Sequence, residues 1–227
     1  MTDFHLGKSR QFFRGLQDLP RIFFGLFYHS FAGNYDLVTW AISMGLWKTW
    51  LSSTLSYLGG PAVLELGFGP GHLQKLLKGN GIESFGLDES QQMAEISQKR
   101  VEKAKYSPKL TRAVGEAIPF PNSAFDQVVT TFPAEFITSQ DTLAEVHRVL
   151  KNDGELVILR FAWLSNRRWP YKIAAWLFRL VGEAPDLKQT LQEERLSALF
   201  QKAGFTVNIE QIELESSGMI LLLCRKN

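Results

Sequence analysis

Along this chain, short runs of apolar residues alternate with longer segments in which apolar residues recur at helical spacing. The short runs predict strands, at 63–66, 82–88, 109–114, 125–131 and 155–161. Apolar residues three and four positions apart predict helices, at 36–58, from 72, and at 90–105, 139–150 and 190–203. Two final strands, 205–214 and 219–225, flank a Ser216-Ser217-Gly218 turn and predict an antiparallel hairpin. This order of elements predicts an α/β domain with a mostly parallel sheet.

The first strand ends in three alternate glycines, Gly67, Gly69 and Gly71, and a helix follows from His72. Glycines let a backbone approach a ligand closely, and a helix N-terminus offers free N–H groups. The dinucleotide fingerprint G-x-G-x-x-G would need a glycine at position 72. The glycine corner, residues 67–71, therefore predicts a nucleotide-like ligand of another kind.

An acid stands at the end of the second predicted strand. Asp88 follows Gly67 by twenty-one residues, and an acid at about this distance is placed to bind ribose hydroxyls. The alternative is that Asp88 caps the next helix, although Ser90 could provide that cap equally well. We expect the ribose role, with Glu89 in the same site.

Composition narrows the class of protein. The chain has 227 residues, of which 45% are apolar, enough for one globular domain. Its net charge of +2 does not argue for a nucleic-acid partner. The single cysteine, Cys224, excludes an internal disulfide and a cysteine-rich metal cluster. No apolar run approaches the roughly 20 residues of a membrane span. No cleavable leader is recognisable, and we expect a cytoplasmic protein.

Two segments combine aromatic and basic residues. Residues 1–35 are interpreted as an N-terminal aromatic and basic arm or lid ahead of the main domain, 36–227, or as a segment packed on that domain. A helical insertion at about 162–187 interrupts the alternation of strands and helices. It contains three tryptophans, and no acid occurs between Glu155 and Glu183. The inserted helix is interpreted as lying at a membrane surface, covering an apolar substrate, or docking on its own domain.

These motifs together resemble the class I S-adenosylmethionine (SAM) methyltransferases over roughly residues 35–225. Gly-Glu-Ala at 115–117 is similar to the family's Gly-Asp-Ala, and residues 145–155 are similar to its structural E-x-x-R-V-L-K-P-G-G stretch. His147 is therefore given no catalytic role. The resemblance implies SAM as cofactor and a Rossmann-like, seven-stranded methyltransferase sheet. That sheet is mostly parallel, with an antiparallel C-terminal hairpin and helices on both faces.

The resemblance also implies a set of site residues. In that family the glycine corner wraps the methionine part of the cofactor, an acid holds the ribose, and another acid contacts the adenine. The implied cofactor-binding residues are Glu65, Gly67, Phe68, Gly69, Gly71, Asp88, Glu89, Glu116, Ala117, Ile118 and Thr131. Tyr35 and Glu135 flank the expected methyl position and are candidate catalytic bases, Glu135 alternatively being only a helix-start acid. No metal is expected.

The stretch from Tyr35-Asp36-Leu37-Val38 through Gly45-Leu46-Trp47 resembles the "YD-x-x-N…G-x-x-x-x-W" start of the ubiquinone and menaquinone C-methyltransferases, with Thr39 replacing the Asn. We expect methyl transfer to a small or lipid-like apolar acceptor, with peripheral membrane contact as a candidate property. The alternatives are a phospholipid N-methyltransferase at a membrane surface and a non-catalytic methyltransferase-like binding subunit. A nucleic-acid methyltransferase is disfavoured by the low net charge and by the lack of an Asn/Asp-Pro-Pro-Tyr motif after strand four.

Overall fold

The computed structural model describes residues 36, 39–40, 43–164 and 196–227, apart from the side chain of Glu135. The predicted arm at 1–35, most of the predicted insertion at 162–187 and the first residues of the predicted helix at 190–203 lie outside the described residues. Of the predicted insertion, residues 162–164 are described, and they continue a strand. No helix in the described part of the chain has both the length and the apolar character needed to cross a membrane.

In the described part of the chain, seven strands form a single sheet. Their bounds are β1 Val63–Leu66, β2 Ser84–Asp88, β3 Leu110–Arg112, β4 Phe125–Thr131, β5 Leu150–Leu164, β6 Phe205–Leu214 and β7 Ser217–Lys226. The strand order across the sheet is β3-β2-β1-β4-β5-β7-β6. Strands β1 to β5 run parallel, whereas β7 runs antiparallel to both β5 and β6. The predicted mostly parallel sheet with an antiparallel C-terminal hairpin is confirmed.

Helices cover both faces of this sheet, as predicted. They are α1 Trp47–Thr54, α2 His72–Gly79, α3 Gln91–Lys103, α4 Gln140–Val149 and α5, whose described residues are 196–202. Helices α1 and α2 bury Leu51 and Leu77 on the face of Val63, whereas α4 and α5 bury Val146 and Phe200 on the face of Leu64. Successive strand residues point to opposite faces, so β1 contributes to both cores. Each such side chain contributes about 1.5–3 kcal/mol by leaving water.

The predicted single helix over 36–58 is wrong. Residues 36, 39, 40 and 43 are helical, but Met44 (φ 49°) and Gly45 (φ 84°) then adopt left-handed conformations. The N–H of Gly45 donates to the carbonyl of Trp40 at 2.9 Å, as at helix ends that close on a left-handed residue. Helix α1 begins again at Trp47, so the apolar stripe continues through a break that its spacing does not reveal.

The C-terminal hairpin turns earlier than predicted. Its turn is Glu215–Ser216, and β7 already begins at Ser217. Gly218 lies inside the strand opposite Trp163, where an added Cβ would come within 2.1 Å of the indole. The glycine therefore makes room for a tryptophan and does not form the turn. The pairing of Leu164 with Ser217 shows that β5 extends past the predicted end at 161.

Candidate active site

A crevice of about 410 Å³ opens where β1, β2 and β4 end. The carboxyl ends of parallel strands are the usual position for a ligand in an open α/β sheet, and the volume lies in the range of small-molecule sites. The predicted cofactor-binding residues that line the crevice are Glu65, Gly67, Phe68, Gly69, Asp88, Glu89, Glu116 and Thr131. Gly71, Ala117 and Ile118 do not line it.

Two glycines of the corner have different structural roles. Gly69 (φ 50°) borders the crevice, and a Cβ added there would meet no atom within 4 Å. A ligand can therefore approach this backbone closely. Gly71 (φ 81°) precedes α2, and a Cβ added there would lie 2.1 Å from Oγ of Ser97 in α3. Gly71 thus allows α2 and α3 to pack together behind the crevice.

Asp88 is fixed by two backbone N–H groups. Its Oδ2 accepts from Gly69 at 2.8 Å and its Oδ1 accepts from Ser90 at 2.9 Å. Ser90 is the residue that caps α3, because its hydroxyl accepts from the N–H of Met93 at 3.3 Å. Burial raises the pKa of Asp88 against the effect of these two N–H donors. A carboxylate accepts about four hydrogen bonds, so Asp88 retains capacity for ligand hydroxyls.

Glu65 is the other acid of the crevice floor. Its side chain is only 1% exposed, and Oε2 has no hydrogen-bond partner within the described part of the chain. Burial raises the pKa of Glu65 well above its ordinary value, the amide of Gln74 opposes that shift, and the charge of Asp88 adds to it. A buried carboxyl oxygen without a partner is unfavourable, and a cationic ligand group would satisfy Oε2.

The loop that carries Glu116 is held from behind by helix α4. The exposed Glu116 lines the crevice, whereas the amide of Ala117 donates to Val114 O at 3.2 Å and that of Ile118 donates to Glu145 Oε2 at 2.8 Å. Arg148 pairs with both oxygens of Glu145 at 2.7 Å and donates to the carbonyls of Ile118 and Phe120 at 2.8 Å. The structural role expected for the E-x-x-R stretch is thus to hold the loop beside the crevice.

An aromatic wall of Trp47, Phe132 and Phe136 closes the crevice on the side of α1 and β4. The rings of Trp47 and Phe132 stack with centroids 4.4 Å apart. The indole Nε1 of Trp47 is buried and has no hydrogen-bond partner among the residues described. The helical spacing of apolar residues over 36–58 places Trp47 on a core-facing stripe, and the tryptophans before the glycine corner also predict an acceptor side in this region. The position of Phe132 directly after β4 could have identified that residue as a crevice residue.

An ionic cluster lies at the mouth of the crevice, and the sequence did not predict it. Arg100 donates to both oxygens of Asp36 at 2.8 Å, and His72, which lines the crevice, contacts Asp36 through Nε2 at 2.9 Å. Burial alone would raise the pKa of Asp36, but Arg100 and His72 lower it overall. Burial and the charge of Arg100 lower the pKa of His72, which favours a neutral ring.

The side chains of the two candidate bases, Tyr35 and Glu135, both lie outside the described part of the structure. Tyr35 lies outside the described residues, next to the fixed Asp36. Glu135 begins a 3₁₀ turn, Glu135–Thr138, just after β4, and its side chain is outside the described part. Their roles remain predictions. The part of the structure that is described contains no group of three or more His, Cys, Asp or Glu side chains suited to a metal.

Three observations indicate that the crevice fits SAM. Glu65 offers an unpartnered buried carboxyl oxygen to a cationic group, Asp88 offers acceptors to ribose hydroxyls, and the backbone at Gly69 is unobstructed. The strand order and these groups at the strand ends together define a class I SAM-dependent methyltransferase.

Comparison with known proteins agrees with this class. A family profile described as "Methyltransferase domain" matches residues 64–158. The ubiquinone/menaquinone biosynthesis C-methyltransferase UbiE of Paraburkholderia phytofirmans is 30% identical over 210 residues, covering 83% of this chain and 86% of that protein. UbiE of Cupriavidus necator is 28% identical over 220 residues, covering 88% of this chain and 90% of that protein.

Solved structures show the same fold. A SAM-dependent methyltransferase of Thermotoga maritima, described as a possible histamine N-methyltransferase, aligns with a TM-score of 0.57 at 19% identity, over 88% of this chain and 100% of that one. A SAM-dependent methyltransferase of Aquifex aeolicus aligns with a TM-score of 0.53 at 19% identity, over 76% of this chain and 88% of that one. The chain belongs to the SAM-dependent methyltransferase family that includes the ubiquinone/menaquinone biosynthesis C-methyltransferases. It is an enzyme, and its cofactor is SAM.

Proposed function

We propose that this enzyme transfers the methyl group of SAM to a lipid-like, planar apolar acceptor of the quinol type. The observation that carries the proposal is the aromatic wall beside the end of β4, where Trp47 stacks on Phe132. A flat apolar molecule packs well against such rings. The quinone-biosynthesis relatives support the same acceptor class.

The crevice has two chemically different sides. Its acids, Glu65, Asp88, Glu89 and Glu116, come from the ends of β1 and β2 and from the loop after β3. The side formed by α1 and the segment after β4 is apolar, with the lining residues Trp47, Leu51, Phe132, Pro133, Ala134 and Phe136. We assign the acidic side to the cofactor and the apolar side to the acceptor.

SAM supplies an electrophilic methyl group on a sulfonium, so the protein mainly has to orient the acceptor and exclude water. Positioning of this kind corresponds to effective molarities of about 10⁵–10⁸ M. Asp88 and Gly69 hold the cofactor side, and the ring faces of Trp47 and Phe132 orient the acceptor. A ring carbon or hydroxyl must also lose a proton, and Tyr35 and Glu135 are proposed as its acceptors. The arm at 1–35 and the insertion at 162–187 are proposed to cover the acceptor or contact a membrane surface.

The acceptor can be identified by direct labelling. The purified enzyme would be incubated with methyl-labelled SAM and, in separate reactions, a quinol lacking one ring methyl, phosphatidylethanolamine vesicles and total RNA. We expect labelled quinol. Label in phosphatidylethanolamine would establish the phospholipid alternative, and label only in RNA would overturn the acceptor class. No transfer to any of the three, with intact SAM binding, would contradict the quinol-type acceptor.

A matched pair of variants connects the label to the aromatic wall. Phe132→Leu keeps an apolar side chain but removes the ring that stacks on Trp47. We expect KM for the quinol to rise about tenfold, which corresponds to the free energy of one aromatic contact. Phe120→Leu, in an aromatic cluster outside the crevice lining, is the control and should leave KM unchanged. Equal KM values for the two variants would contradict the assigned acceptor side.

A further inference from the structure

Three residues that line the crevice, Trp47, Glu65 and Thr130, each have a buried polar side-chain atom without a hydrogen-bond partner in the described part of the chain. The atoms of Trp47 and Glu65 are of opposite character. Nε1 of Trp47 can only donate a hydrogen bond, and Oε2 of Glu65, once ionised, can only accept one. Within the described ranges neither atom has a hydrogen-bond partner. They also do not bond to each other, and the residues that carry them both line the crevice.

The two residues lie on the same side of the sheet. Along β1, Leu64 and Leu66 pack on the face of α4, whereas Val63 packs on the face of α1 and α2. Because side chains alternate along a strand, Glu65 shares the face of Val63. Trp47 is the first residue of α1 and packs on Phe132, directly after β4. Strands β1 and β4 are neighbours, so the donor and the acceptor stand over adjacent strand ends.

Trp47 is partly buried, but its Nε1 is inaccessible and unpartnered within the described residues, whereas a buried Trp N–H generally finds a partner. The next tryptophan of the same helix follows that rule. Trp50 Nε1 donates to Oγ of Ser217 at 3.0 Å. An N–H that folding leaves unsatisfied loses the hydrogen bonds it had in water, and a ligand acceptor would restore one.

We propose that the indole N–H of Trp47 binds the α-carboxylate of SAM, opposite Glu65, which accepts from the α-ammonium. The methionine part of the cofactor carries one anion and one cation two bonds apart, and the two unpartnered atoms offer one donor and one acceptor. The raised pKa of Glu65 fits this pairing, since a bound cation favours the ionised carboxylate. The proposal concerns the cofactor and does not depend on which acceptor is methylated.

Binding of three nucleosides by calorimetry tests the proposal without any turnover. S-adenosylhomocysteine has both charged groups, decarboxylated SAM lacks only the carboxylate, and 5′-methylthioadenosine lacks the whole amino-acid part. The variant Trp47→Phe keeps an aromatic ring beside Phe132 but removes the N–H together with the five-membered ring of the indole. We expect its affinity for S-adenosylhomocysteine to fall about 10- to 100-fold. Its affinities for decarboxylated SAM and 5′-methylthioadenosine should stay within about twofold of wild type.

Glu65→Gln gives the complementary pattern. Its affinity should fall for S-adenosylhomocysteine and for decarboxylated SAM, which both carry the ammonium, but not for 5′-methylthioadenosine. Trp50→Phe is the matched control, because its N–H is already used within the fold. That variant should lower the urea midpoint of unfolding and leave the ratio of affinities for S-adenosylhomocysteine and 5′-methylthioadenosine unchanged.

Three results would overturn the proposal for a Trp47→Phe protein whose urea unfolding is cooperative. The first is unchanged affinity for S-adenosylhomocysteine, including the case where only turnover of the methyl acceptor falls. The second is an equal loss for decarboxylated SAM. The third is an equal loss for 5′-methylthioadenosine, which would place the N–H away from the amino-acid group.

Discussion

The backbone N–H of Gly69 donates to Oδ2 of Asp88 over 2.8 Å. This bond joins the glycine corner after β1 to the acid at the end of β2, so the two most recognisable motifs of the sequence form one structural unit. A change in either residue should therefore affect both cofactor binding and the local fold.

Asp88→Ala is expected to abolish cofactor binding without unfolding the domain. The change removes the acceptor of two backbone N–H groups, from Gly69 and Ser90, and should reduce the free energy of unfolding by about 1–3 kcal/mol. Affinity for S-adenosylhomocysteine, measured by calorimetry, should fall more than about 100-fold, the effect of two lost hydrogen bonds to a charged group. Retained affinity would contradict the ribose assignment. Glu89→Ala removes an exposed neighbouring acid and should leave stability unchanged.

We expect alanine substitutions at Gly69 and Gly71 to have different effects, the first on cofactor binding and the second on stability. Gly69→Ala has space for its Cβ, so it should lose only the roughly 1–2 kcal/mol of a left-handed alanine, yet the new methyl should block the cofactor. Gly71→Ala brings its Cβ to 2.1 Å from Ser97 Oγ and 2.9 Å from Ser97 Cα, and should destabilise the fold by more than about 4 kcal/mol. Urea unfolding and calorimetry separate the two effects. Similar stabilities for the two variants would contradict this division of roles.

Glu65 should make the cofactor-free protein less stable as pH rises. Its pKa is raised in the folded state, so the folded protein keeps a proton that the unfolded chain has already lost. Stability from this group is complete below the ordinary pKa of a glutamic acid and declines as pH rises towards the folded pKa. Glu65→Gln should therefore flatten the decline in the free energy of unfolding while weakening S-adenosylhomocysteine binding. Urea titrations from acidic to mildly alkaline pH measure this slope, and an unchanged slope in the variant would exclude Glu65 as its source.

Arg148 should stabilise the loop beside the crevice much more than an exposed cation stabilises the surface. Arg148→Ala removes the links to Glu145 and to the carbonyls of Ile118 and Phe120, and we expect a loss of about 1.5–3 kcal/mol in urea unfolding. The control is Arg225→Ala, whose partner Asp153 is largely exposed, with an expected loss of about 0–1 kcal/mol. Equal losses would show that the E-x-x-R pair does not support the loop.

Local sequence patterns predicted most of the sheet. Strands β4 and β6 have the predicted bounds, 125–131 and 205–214, because apolar runs between polar turns mark where a buried strand starts and stops. The break at Met44–Gly45 was not predicted, because apolar spacing is helical on both sides of it. Gly218 was mistaken for a turn residue, because only its contact with the distant Trp163 explains why a glycine is needed.

The residues of the site likewise include some that the sequence predicts and others that only the fold reveals. Gly69 and Asp88 could be found because each belongs to a short motif, and both line the crevice. Arg100 could not be found, because its bond to Asp36 joins residues 64 positions apart. The contact of Trp47 with Phe132 could not be predicted, because their stacking depends on how α1 lies across the sheet. Motifs can be recognised along a chain, whereas contacts between motifs require the fold.

The crevice takes its walls from segments that run from Trp47 to Phe136, so no short fragment of the chain contains a complete site. Ligand binding therefore requires the assembled domain and protects all of it by mass action. At a ligand concentration 100 times Kd this protection is about 2.7 kcal/mol. A thermal-shift screen can thus rank nucleoside analogues, and then acceptor candidates in the presence of S-adenosylhomocysteine, before any methylated product has been identified.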